Sequence, residues 1–131
     1  MRNFLRDKEG AAAVDFAIVS MVFVFCVLGV IEFGRVLYMK NKLAFAADSA
    51  ARLVLMKSSG TDTATTSEIL IEAKSVLHNK ELVENVVLET GSETADGVTY
   101  LTLKLSYSMP LYIPGFGSGV TLSQYRKTPQ L

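Results

Sequence analysis

One segment limits what this chain can be. Residues 11–31 form an apolar run of 21 residues that carries a single charge, Asp15. As an α-helix the run is about 31 Å long, close to the thickness of a bilayer's hydrocarbon core. It contains no proline and is too long for the apolar region of a typical signal peptide. Ordinary signal peptidase also cuts after its apolar stretch, so a secreted product of that enzyme is disfavoured. A soluble helix this uniformly apolar needs a large body around it, and a chain of 131 residues does not build one. The run therefore reads as a transmembrane helix. No helix breaker follows it before residue 57, so the helix is expected to continue to about Lys57.

Composition narrows the function. Half of the residues are apolar, and the excess sits in the first third of the chain. Lys plus Arg and Asp plus Glu balance at 13 each, without a basic stripe or an acidic tail, so no nucleic-acid partner is expected. The one cysteine, Cys26, lies inside the apolar run, where it reads as a small side chain facing lipid or another helix. The one histidine, His78, has no second imidazole to share a metal and reads as a surface residue. No Ser-His-Asp or Cys-His set can be built from these, and no glycine-rich loop precedes a helix. Neither catalysis nor a cofactor nor a metal is expected.

Charge alone does not orient the span. Arg2, Arg6 and Lys8 precede it, and Arg35, Lys40, Lys42 and Arg52 follow it within the range that the positive-inside rule counts. An acid such as Asp15 is costly in lipid and points to function by default. Nearness to the helix start, where the dipole favours an anion, would also account for it. Position by itself leaves both open.

The surroundings of Asp15 are more informative. A charged head, residues 1–9, ends at Gly10. Ala11, Ala12, Ala13 and Val14 follow, then Asp15 fifth after the glycine and Phe16 beside it. This arrangement resembles the type IV prepilins. The resemblance implies cleavage between Gly10 and Ala11 by a membrane prepilin peptidase, with Asp15 as the acid at position five of the mature chain, where Glu is usual. In that setting the new amine of one subunit would pair with Asp15 of a neighbour, relieving two charges that lipid leaves unsolvated. Further along, Gly29, Val30, Ile31, Glu32, Phe33, Gly34 and Arg35 lead to Tyr38, Asn41, Ala46, Ala47, Ala50, Ala51 and Arg52. With residues 10–17, this pattern is similar to the TadE-like pseudopilins of the tight-adherence (Tad, Flp) pilus system. Many members carry a proline within the apolar run, where this chain has Ser20 and Met21. The resemblance is strong over residues 9–57 and weaker beyond.

The resemblance implies a pseudopilin or minor pilin that takes part in assembling an adhesive pilus. Its partners would be the prepilin peptidase, other pilin or pseudopilin subunits and an inner-membrane assembly platform. The N-terminus would be cytoplasmic and the C-terminal domain periplasmic, with passage into the extracellular pilus open. The rival reading is an unprocessed single-pass interaction subunit of an envelope secretion complex. Glu32 and Arg35, three residues apart, also suit a surface ion pair at the membrane edge.

The expected fold is α+β and pilin-like. Residues 1–10 are the leader, 11–31 the span, 32–57 a helical extension, and 58–131 a small extracytoplasmic domain. Leu43, Ala47, Ala50 and Val54 recur at helical spacing, flanked by Ala46 and Leu53, and predict a seam packed on the chain's own sheet or on other subunits. Asp48 and Arg52 are placed to pair four residues apart. Residues 58–67 read as a loop. Thr65 and Glu68 form a capping box that opens a short helix reaching about Asn79. Strands are expected at residues 82–89, 101–108 and 120–127, with a polar turn at 91–97, as an antiparallel meander against the long helix. Leu111, Tyr112, Ile113 and Phe116 make the loop between the last two strands apolar. Folding back over the sheet is the expected use, with partner binding as the minority reading.

Overall fold

The computed structural model describes residues 8–60, 63–112 and 119–130, with side chains from residue 10 onward. Helix α1 spans Lys8–Ser58 without interruption, 51 residues or about 77 Å. Helix α2 spans Thr66–Ser75 and helix α3 Lys80–Asn85. Strands β1 (Val87–Ala95), β2 (Val98–Met109) and β3 (Val120–Pro129) form one antiparallel sheet in the order β1-β2-β3. The α+β class, the long helix and the meander agree with expectation.

The core lies where the upper half of α1 crosses the sheet. Leu43, Ala46, Ala47 and Ala50 are fully buried, and Val54 nearly so. Three alanines in this seam let neighbouring backbone come close to α1, so burial here is dense without long side chains. Opposite them, β2 contributes Leu103, Leu105, Tyr107 and Met109, while Leu122 comes from β3. Ile69 and Ala73 of α2 and Leu82 of α3 close the same cluster. The alternation of Leu101, Leu103, Leu105 and Tyr107 with Thr102, Lys104 and Ser106 thus separates an inner from an outer sheet face, as the period of two requires.

The capping box at Thr65 forms in full. The Thr65 hydroxyl accepts from the Glu68 N–H, and the Thr65 N–H donates to the Glu68 carboxylate at 2.9 Å. Lys57 adds an ammonium 2.7 Å from the other carboxylate oxygen, tying the end of α1 to the start of α2. With the Thr65 hydroxyl, which lies 2.8 Å from the carboxylate and donates to it, these donors hold the Glu68 carboxyl at about 2, below its ordinary 4.5, with the Lys57 bond the largest cause. Ser49 adds a second tie, donating to Glu72 at 2.7 Å.

Four expectations need correction. Helix α2 ends at Ser75 and not near Asn79, because Asn79 begins another helix: its side chain accepts from the Glu81 N–H at 3.0 Å. Residues 82–85 are accordingly helical and not strand, with Leu82 and Val86 buried four residues apart. Most of the supposed turn at 91–97 is strand β1, and only Asp96 and Gly97 turn. Both have positive φ, 53° and 77°, the two-residue type I′ geometry that suits an Asp-Gly hairpin. Lastly, Asp48 pairs with Arg126 of β3 and not with Arg52. The register explains the choice: Arg126 lies opposite Leu103, on the sheet face that α1 covers.

Candidate assembly interface

Helix α1 passes through two surroundings. From Val14 to Ile31 every large apolar side chain is exposed, Phe16 by 74% and Phe23 by 67%, and the most apolar stretch of the helix has a mean hydropathy of 2.7 with none of it buried. No other described part of the chain covers this stretch. Such a surface is stable only against hydrocarbon or against other apolar helices. Ser20, in the middle of it, donates to the Ala17 carbonyl at 3.0 Å, so its hydroxyl needs no outside partner.

Asp15 is exposed, and no ion pair or hydrogen bond joins it to any described residue. It lies two turns into α1, beyond the first turn where the helix dipole acts most. Phe16, its neighbour, points roughly 100° away around the helix. Gly10 and Ala11 lie within α1, both exposed, in its first turn. The sequence-predicted processing and assembly residues are therefore contiguous on an uncovered helix, and none is engaged elsewhere in the described chain.

The residues expected at a membrane edge divide. Glu32 and Arg35 meet, with the Arg35 Nη1 3.0 Å from both carboxylate oxygens. Phe33 and Gly34 stay exposed on the far side. Glu32 is 9% exposed, although it sits at the boundary of an otherwise bare helix. Its cover is the segment after β2. The Tyr112 N–H reaches Glu32 at 3.4 Å, and the Arg35 guanidinium lies 4.1 Å from the centre of the Tyr112 ring. Tyr112 was expected over the sheet; its ring instead stacks on the Arg35 guanidinium, 69% exposed. Ile113 and Phe116 fall outside the described residues. Nothing in the spacing announced the role of Tyr112; the only signal was an aromatic two residues after Pro110, where the strand has to stop.

Above this point, Tyr107 is buried against the core. Burial first, and the nearby Glu81 carboxylate second, raise its phenol above the ordinary value. Further along the sheet, the hydrogen bond from Arg126 to Asp48 raises the guanidinium in turn. Gly29 and Gly34 have open space where a Cβ would stand, so neither serves close packing within the described chain.

An exposed apolar helix that runs unbroken into the core of a small α+β head has the build of a single-pass membrane protein. Residues 10–52 match the model of the family described as TadE-like protein. The matched stretch contains Gly10, Asp15 and the Glu32–Arg35 pair, and it takes in the lower seam of the head through Ala50. No curated protein and no solved structure matches the chain.

Proposed function

We propose that this chain is a pseudopilin or minor pilin that takes part in assembling an adhesive Tad-type pilus, after cleavage between Gly10 and Ala11 by a prepilin peptidase. The observation that carries the reading is the TadE-like match over residues 10–52, whose first half, up to Ile31, is a helix surface that nothing in the described chain covers. In this reading the N-terminus faces the cytoplasm and the head lies in the periplasm. The subunit meets other pilin or pseudopilin subunits and an inner-membrane assembly platform. It catalyses nothing; it is the substrate of the peptidase.

Asp15 supplies the chemistry of assembly. Cleavage leaves an ammonium at Ala11 and moves Asp15 close to the new helix start. A carboxylate and an amine contributed by adjacent subunits neutralise each other in a medium where either alone is costly. Asp has one methylene fewer than the usual Glu, so neighbouring helices must come correspondingly closer. The exposed small residues along the span, among them Gly29, permit that approach.

Intact-mass analysis of the protein taken from host membranes tests the processing step. The expected mass is that of residues 11–131. Retention of residues 1–10 in the presence of active peptidase would favour the rival, a permanently anchored interaction subunit. Gly10→Phe separates the two readings in the cell, because pilus assembly stops only if cleavage is required.

A further inference from the structure

A cleft of about 390 Å³ opens where α1 leaves the bilayer, between its outer face and the α2–α3 connection. Its rim carries Tyr38 and Lys42 from α1, and His78, Asn79 and Lys80 from the connection. No carboxylate lines it. Its two charged side chains, Lys42 and Lys80, are both cationic.

Each group is held by the fold but left available. The Lys42 ammonium lies over the Tyr38 ring, 5.5 Å from its centre. The His78 Nδ1 lies 3.1 Å from the Val76 carbonyl oxygen and donates to it, since a carbonyl only accepts, which holds the ring. Asn79 uses its carbonyl oxygen to cap α3, which leaves its amide NH₂ to donate. Lys80 is 3.9 Å from Glu84, both largely exposed, a pairing too weak to withdraw the ammonium from a competing anion.

The position of the cleft identifies its occupant. Tyr38 stands seven residues beyond Ile31, about 10 Å up the helix, at the outer side of the headgroup layer. Lys42 is one turn higher, and its stem can reach down toward that layer. Tyrosine is favoured at this depth, and lysines just outside a span attract anionic lipid. We infer that the cleft binds the phosphate of an anionic phospholipid headgroup, with Lys42, Lys80 and Asn79 as donors. The recognised chemistry is a phosphate with no cation attached to it, as in a net-anionic headgroup, and the membrane is its source. The inference rests on the single-pass reading of α1 and is independent of any role in a pilus.

The test uses the full chain in nanodiscs of phosphatidylcholine mixed with phosphatidylglycerol, read by native mass spectrometry of retained lipid. Phosphatidylglycerol should be retained in preference to phosphatidylcholine. Lys42→Gln and Lys80→Gln should each lower that preference roughly fivefold, the size expected for one lysine near a membrane surface. Lys104→Gln, on the outer sheet face, should leave it unchanged. Equal retention of both lipids by the unaltered protein overturns the inference, and so does an unchanged preference in both variants. If soluble glycerol phosphate competes as well as the lipid does, the site is one for free phosphate and the lipid assignment fails. Failure of the chain to insert into the nanodisc would instead remove the single-pass reading on which the inference stands.

Discussion

The two halves of α1 are built from similar residues and behave in opposite ways. Below Glu32 the apolar side chains are bare; above it, the face formed by Leu43, Ala46, Ala47, Ala50 and Val54 is sealed. Phe23 and Val22 are more than half exposed, whereas Ala46, Ala47 and Ala50 are entirely covered. What each half meets accounts for the contrast. A helix that must admit a sheet and a second helix at close range uses alanine, and one that meets fluid hydrocarbon has no such limit. One continuous helix therefore carries two interfaces, and the boundary between them is the Glu32–Arg35 pair.

Core truncation should separate the two halves most sharply. Leu105→Ala, at a fully buried position, should destabilise the head by about 2–5 kcal/mol, while Val22→Ala in the span should leave it within about 0.5 kcal/mol. Thermal unfolding in detergent, followed by near-ultraviolet dichroism of the head's tyrosines, gives both values. Equal effects would mean that the span is packed inside the monomer after all. Enlarging the seam is the next test. Ala47→Leu should cost about 1–3 kcal/mol through overpacking, whereas Ala17→Leu should cost nothing measurable in the same assay.

Smaller effects test the junctions. Thr65→Ala removes the cap of α2 and should cost about 1 kcal/mol, read from the same melting curve. Acidification tests the tie between α1 and α2. Glu68 titrates at about 2 when folded, below its ordinary 4.5. Its contribution is therefore complete above about 4.5 and is lost as pH falls from there through about 2. Glu68→Gln should flatten that part of the stability-against-pH curve. Because the carboxylate is exposed, added salt should shrink the difference.

What could be read from the sequence follows burial. The span, the alanine seam and β2 each had one kind of surroundings along their length, so their periodicity was plain. Strand β1 has none to read: Glu89, Thr90, Gly91, Ser92, Glu93 and Thr94 are exposed on both faces, and a polar edge strand resembles a loop. Its pairing shows only in the folded sheet, where Glu89 faces Lys104 at 2.8 Å. The helix at Lys80–Asn85 was missed for another reason. Its apolar residues are too few to set a period, and its real signature was Asn79 as a cap followed by Glu81. At the candidate interface, the Glu32–Arg35 pair could be read because helical spacing alone brings the two together. Tyr112 could not, since its contact with Arg35, 77 residues earlier, depends on where β2 happens to stop.

The absence of a break at Glu32 also has a mechanical consequence. Some 27 residues of α1 stand beyond the span, about 40 Å of rod that no proline hinges. A tilt of about 10° in the bilayer sweeps the far end by about 7 Å, and a rotation of the span turns the whole head with it. The head can thus report the attitude of the buried helix, and a force applied to either end arrives at the other without a joint to absorb it.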